Sequence, residues 1–168
     1  MDGHDFLAKV DRWFRGDASP PRIRVSITRH SVAMGDDTWA PHTWAFEINT
    51  STTLGELAQI AIDGHYLASI VSGRASWVMQ AAGGRALAVL AQQWSVPRWL
   101  ADPAIVVIHI PDAYDAGRGQ ADLHFDYRAQ VDPAELFRSL MDPQGGREFG
   151  NVFAPSRRAQ PHRPPKPS

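Results

Sequence analysis

The chain has 168 residues, of which 43% are hydrophobic and 21% are charged, and this composition is typical of one globular domain. Seventeen basic residues nearly balance eighteen acidic ones, and the formal net charge of -1 gives no reason to expect a nucleic-acid partner. The absence of cysteine excludes disulfide bonds, a cysteine nucleophile and thiolate metal sites. No apolar run is long enough for a membrane span and no signal-peptide pattern is present, so we expect a cytoplasmic protein. Arginine in place of lysine and abundant alanine suggest a bacterial source.

The amino-terminal segment, residues 1–18, is predicted to form an amphipathic helix followed by a linker. Apolar side chains recur at helical spacing over residues 5–15, with charged side chains on the other side. Glycine, serine and two prolines then interrupt the pattern before residue 22. We therefore expect the main domain to occupy residues 19–142.

Two strands and a helix are predicted next in the chain. Apolar and polar residues alternate over residues 22–27 and again over residues 44–48, which predicts two half-buried antiparallel strands. Thr53 and Glu56 then have the spacing of a capping box at the start of a helix. Gly64 fits the position just past the end of that helix.

This order of elements resembles that of ubiquitin-like β-grasp domains over residues 22–70. The segment that carries the resemblance is Phe46-Glu47-Ile48 followed by Thr53-Leu54-Gly55-Glu56-Leu57. The likeness is one of element order without a specific motif. It implies a β-grasp-like arrangement for this part of the domain and no particular activity.

The second half of the domain is predicted to be rich in strands. Residues 66–71 and 76–80 have short strand patterns, and the continuous apolar run 105–110 predicts a strand buried on both faces. Residues 85–94 fit both a helix and a strand, and the preceding Gly-Gly turn favours the strand. Alternation over residues 121–129 predicts a further strand with one polar face.

The domain is predicted to end with a helix and a flexible tail. Asp132 and Pro133 have the pattern of a helix start, and apolar residues follow at helical spacing. Residues 143–168 are rich in proline and arginine and poor in apolar anchors, which predicts a disordered tail. Residues 158–164 match R-x-x-P-x-x-P, a pattern of polyproline ligands that is also common in inert tails. We thus predict an α+β domain with a mainly antiparallel sheet and helices packed on one side.

The sequence contains no standard catalytic or nucleotide-binding signature, and we predict neither a cofactor nor a metal. The best residual metal candidates are His124 and Asp126, two residues apart on one strand face, where imidazole and carboxylate suit zinc or ferrous iron. A solvated polar strand face is the simpler interpretation of this pair. A second candidate cluster comprises His30, His42, Asp36 and Asp37.

Tryptophan and arginine form the most suggestive feature of the sequence. Of the six tryptophans, Trp39 lies in a polar loop, while Trp94 and Trp99 flank Arg98. These residue types are enriched at protein interfaces because they bury a large area and keep a polar group. We predict a non-enzymatic protein-binding domain, such as an adaptor, an assembly component or an immunity-type inhibitor, that binds another protein through these four residues. The alternative is a small metal- or His/Asp-dependent enzyme that uses the face of His124 and Asp126.

Overall fold

The computed structural model describes four stretches of the chain: residues 20–32, 42–70, 73–129 and 131–142. The helix predicted within residues 1–18 and the tail predicted at residues 143–168 lie outside the described residues. The described stretches contain an α+β domain in which two helices pack against one sheet.

The sheet has seven strands: β1 (Arg22–Arg29), β2 (Thr43–Asn49), β3 (Ser76–Ala81), β4 (Ala86–Ala91), β5 (Arg98–Trp99), β6 (Tyr114–Asp115) and β7 (Gln120–Arg128). Their order is β2-β1-β7-β3-β4-β5, and β6 pairs with one end of β7. The β1–β7 pair is parallel and every other pair is antiparallel. The sheet is therefore mixed. β7 lies between β1 and β3, and it pairs parallel with β1 and antiparallel with β3. The strand favoured for residues 85–94 is confirmed over Ala86–Ala91, as β4, and the three residues that follow are not part of it.

Helix α1 (Leu54–Asp63) begins and ends where the sequence predicts. The Thr53 side chain accepts a hydrogen bond from the Glu56 backbone N–H at 3.2 Å, and Glu56 Oε2 accepts one from the Thr53 N–H at 2.7 Å. Gly64 ends the helix beside the Trp44 ring. A Cβ at this position would lie 2.7 Å from Trp44 Cη2, so a larger residue would clash with the ring. The buried side of α1 covers the main core of the domain with four residues: Leu54, Leu57, Ala58 and Ala61.

Helix α2 (Pro133–Met141) packs on the opposite face of the sheet. Asp132 caps it, since Asp132 Oδ1 accepts hydrogen bonds from the next two free backbone N–H groups at 2.9 and 3.0 Å. Leu136 packs on Val78 and Val89, which alternate along their strands with residues of the main core. The prediction of helices on one side is therefore wrong, because β3 and β4 are apolar on both faces and each face needs a cover. In the described part of the chain, no helix has the length and apolarity that a membrane crossing requires.

Two predicted strands are not formed. In place of the strand predicted over residues 66–71, the described residues 66–70 are irregular. The Gln92 side chain supplies a substitute for strand pairing, since its Oε1 and Nε2 bond the Ile70 N–H and carbonyl at 3.2 Å each. The run 105–110, predicted as a strand, contains the 3₁₀ turn Val107–His109 instead. An apolar run of this length indicates burial without indicating which backbone conformation is buried.

Candidate functional site

The structure separates the tryptophan and arginine residues that the sequence grouped together. Trp39 lies outside the described residues. The Arg98 guanidinium carbon lies 4.2 Å from the centroid of the Trp94 ring, which is the geometry of a cation–π contact. Trp99 packs against the main core. Arg98 and Trp99 are consecutive residues of β5, and consecutive strand residues point to opposite faces of the sheet, so Arg98 faces away from this core. Of the three members of this group that the structure describes, Trp94 and Arg98 are thus brought together.

The Trp94 ring also lines a groove at the end of β4, near the β5 edge of the sheet. One wall comes from the end of α1 and the segment that follows it, residues 62–69, and the other from the end of β4 and the following loop, residues 90–97. The groove has a volume of about 290 Å³. We call it the edge groove and define it by six of its lining residues: Ile62, Leu67, Trp77, Leu90, Trp94 and Val96. Sequence reasoning missed it because residues 66–70 were expected to form a strand.

Long-range hydrogen bonds hold the first wall of the edge groove in place. The buried Tyr66 hydroxyl lies 3.1 Å from the Ile27 carbonyl oxygen and 2.9 Å from that of His42. The next residue, Leu67, lines the groove. At the other end of this wall, the Gln92 amide bonds both backbone groups of Ile70. The wall is therefore a preorganised surface.

The edge groove has exposed apolar surface, and two exposed arginines are next to groove-lining residues in the chain. The Val96 side chain is 67% exposed, although it lines the groove together with Trp94. Arg98 follows the groove-lining Pro97, and Arg74 precedes the groove-lining Ala75. Among the described residues, no carboxylate forms an ion pair with Arg74 or Arg98. An apolar ligand with negative charge is the kind of group that such a surface attracts.

A second concentration of functional groups lies on the polar face of β1 and β7. We call it the histidine cluster, and it comprises Thr28, His30, His124, Asp126 and Arg128. His30 Nδ1 lies 2.8 Å from Asp126 Oδ1, and Arg128 binds the other oxygen of the same carboxylate. His124 Nδ1 lies 2.8 Å from Thr28 Oγ1, and the two imidazole rings meet edge to face with centroids 4.6 Å apart.

Strand register explains how this cluster is assembled. His124 and Asp126 share one face of β7, as their spacing predicted. Thr28 is the partner of His124 in the parallel β1–β7 pair, and the His30 N–H bonds the Phe125 carbonyl at 3.0 Å, which places His30 next to them. The sequence grouped His30 instead with His42 and two aspartates, Asp36 and Asp37, that lie outside the described residues.

The electrostatics of the cluster favour a neutral His124. Burial lowers the pKa of His124 from its ordinary value, the neighbouring His30 lowers it further, and Asp126 opposes both effects. A neutral imidazole bonded to a hydroxyl resembles the base and nucleophile of a hydrolase. However, the carboxylate bonds His30 instead of His124, so the orienting group of a triad is on the wrong ring. Within the described ranges, no three histidine or acidic side chains are grouped in a way that could hold a metal ion.

Comparison with known proteins adds no assignment. No protein-family model matches the chain, and no curated protein matches it either. The geometry of the edge groove and of the histidine cluster is therefore the basis for inferring function.

Proposed function

We propose that this chain is a non-enzymatic protein-binding domain that takes up an apolar segment of a partner protein in the edge groove. The observation that carries the proposal is the exposed apolar rim at Val96 beside a Trp94 ring held by Arg98. Arginine and tryptophan of this kind are the residues that dominate binding energy at interfaces. A volume of about 290 Å³ suits one or two side chains better than a large cofactor. An adaptor, an assembly component and an immunity-type inhibitor all fit such a domain.

The fold supports the same proposal. We take the domain to be β-grasp-like, because α1 follows the β1–β2 hairpin and β7 lies parallel to β1 in the middle of the sheet. Such a rigid sheet presents the loop 92–97 at its edge as a fixed surface. Lysine occurs only at Lys9 and Lys166, which fits a GC-rich bacterial gene, and we propose that the protein acts in the bacterial cytoplasm.

The test is a quantitative pull-down with the tagged full chain at physiological salt, read by mass spectrometry. The variant Val96→Gln removes apolar contact from the groove, and we expect it to recover about tenfold less partner, since a buried valine contributes about 1.5 kcal/mol. Met141→Gln is the matched control, because Met141 at the end of α2 is 63% exposed and Val96 is 67% exposed. A partner recovered equally well by both variants would show that binding does not use the groove.

A second candidate function is acid–base catalysis at the histidine cluster. The observation that favours it is the 2.8 Å contact between Thr28 Oγ1 and Nδ1 of a neutral His124. The direct test is hydrolysis of a chromogenic acetate ester by the full chain and by His124→Gln, with the exposed His109→Gln as control. Equal rates for all three proteins would remove this candidate.

A further inference from the structure

We infer that the edge groove selects peptide segments in which a bulky apolar side chain lies next to carboxylates. This inference rests on the proposed function and adds the chemical character of the partner. The apolar lining accounts for the bulky side chain, and the arginines beside the groove account for the carboxylates.

The first arginine is Arg98. Its guanidinium carbon lies 4.2 Å from the centroid of the Trp94 ring and 5.9 Å from the centroid of the Phe137 ring. Stacking engages the flat face of a guanidinium and leaves the N–H groups in its plane able to donate. Among the described residues, no carboxylate lies within ion-pair distance of this group. The donors of Arg98 are thus left for a ligand in contact with Trp94.

The second arginine is Arg74, which is exposed and directly precedes the groove-lining Ala75. It also has no ion pair with a described residue. By contrast, Arg118 on a distant loop binds two carboxylates at 2.7 and 2.9 Å. Positive charge near the groove is therefore left for a partner instead of being neutralised within the domain.

The remaining charged and titratable groups near the groove do not reverse this balance. Asp63 follows the groove-lining Ile62, and its Oδ1 accepts a hydrogen bond from Gln59 Nε2 at 2.7 Å. His65 also lines the groove and adds no negative charge. The segment 157–166 of the same chain is basic, so Arg98 and Arg74 repel it. The charge pattern therefore favours an acidic segment of another protein over this basic segment of the same chain.

The experiment titrates two synthetic peptides into the ¹⁵N-labelled full chain and follows the tryptophan indole N–H signals by NMR. One peptide is acetyl-Asp-Glu-Phe-Leu-Glu-Asp-amide, and the other is its uncharged counterpart acetyl-Asn-Gln-Phe-Leu-Gln-Asn-amide. Trp94→Phe assigns the Trp94 signal. We expect the acidic peptide to shift this signal and to bind at least about fivefold more tightly than the neutral one, with the difference lost at about 500 mM salt.

Variants then test the assigned arginines. Arg98→Gln should reduce affinity for the acidic peptide about three- to fivefold and leave the neutral peptide unaffected, and Arg74→Gln should have the same type of effect. The matched control is Arg24→Gln, which removes an exposed arginine of β1 far from the groove. Equal binding of both peptides at Trp94 would overturn the inference and leave the proposed function intact. An acidic preference that survives in Arg98→Gln/Arg74→Gln, or no shift of the Trp94 signal with either peptide, would also overturn the inference. The Val96→Gln pull-down decides the proposed function separately.

Discussion

Tyr66 connects the wall of the edge groove to β1 and to the residue that precedes β2, and its hydroxyl is the most informative group to remove. The ring is 1% exposed, and the hydroxyl donates to the carbonyl oxygens of Ile27 at 3.1 Å and His42 at 2.9 Å. Tyr66→Phe keeps the ring and removes only this donor. The His42 carbonyl keeps a hydrogen bond from the Arg29 N–H at 3.0 Å, so it still has one donor after Tyr66→Phe. We expect the free energy of unfolding near pH 7 to fall by about 1–3 kcal/mol.

The same hydroxyl predicts how stability responds to alkaline pH. Burial raises the pKa of Tyr66 from 10.0 to about 12, and the nearby Arg29 charge partly opposes this effect. The unfolded chain therefore releases the proton at a lower pH than the folded chain does. Stability is fully retained below pH 10 and decreases as the pH rises towards 12. At about 1.4 kcal/mol per pH unit, the loss over these two units is about 2–3 kcal/mol. Tyr66→Phe has no such group, so the stability curves of the two proteins should converge at high pH.

Urea unfolding followed by circular dichroism, from about pH 7 to about pH 11.5, measures both effects. Tyr114→Phe is the control, because Tyr114 is partly buried elsewhere in the sheet and controls for the general alkaline response. If Tyr66→Phe loses as much stability as the parent protein above pH 10, the buried hydroxyl is not the cause. A change below about 0.5 kcal/mol near pH 7 would show that the two carbonyl contacts contribute little.

Three further outcomes test other parts of the structure. Gly64→Ala places a Cβ 2.7 Å from Trp44 Cη2 and should destabilise the domain by about 1–3 kcal/mol. In a urea double-mutant cycle Trp44→Leu should recover part of that loss, whereas additive costs would contradict the contact. The lowered pKa of His124 means that the unfolded chain binds the proton first as the pH falls below 6.5, so stability should decrease there. That decrease should be smaller in His124→Gln than in His109→Gln, and equal acid profiles would refute it. Deletion of residues 143–168 should leave the thermal midpoint unchanged, whereas a clear drop would mean that this segment packs on the domain.

Elements with local signals could be predicted from the sequence. The alternation of residues 22–27 requires no knowledge of the partner strand, because an apolar residue at every second position already defines a buried face. The start of α1 is equally local, since Thr53 and Glu56 exchange hydrogen bonds across three residues. The N-terminal cap of α2 at Asp132 depends on the two following peptide groups alone.

Elements determined by distant partners could not be predicted in this way. The parallel pairing of Thr28 with His124 joins positions 96 residues apart, and it makes the sheet mixed and places His30 beside His124. The irregular backbone at Ile70 is stable because Gln92, 22 residues later, supplies both hydrogen bonds. Neither relation leaves a periodic signal in the sequence.

The candidate binding residues show the same division on a smaller scale. Trp94 and Arg98 are close in sequence, and their contact follows from a single turn of the chain. Trp99 was grouped with them for the same reason, but β5 makes residues 98 and 99 face opposite sides of the sheet. Residues that are close in sequence therefore share a surface only if the strand assignment puts them on the same face.

The two candidate sites differ in how well the domain satisfies its own groups. In the histidine cluster the Asp126 carboxylate binds both His30 and Arg128, and His124 binds Thr28, so these contacts contribute to the stability of the folded chain by themselves. In the edge groove, by contrast, an apolar side chain is left in water, and the neighbouring Arg98 gains no ion pair within the described chain. Exposed apolar surface beside unneutralised charge contributes little to folding, and association with a complementary surface turns both features into binding energy. This difference in internal pairing is the physical reason to look for the partner at the groove first and for chemistry at the histidines second.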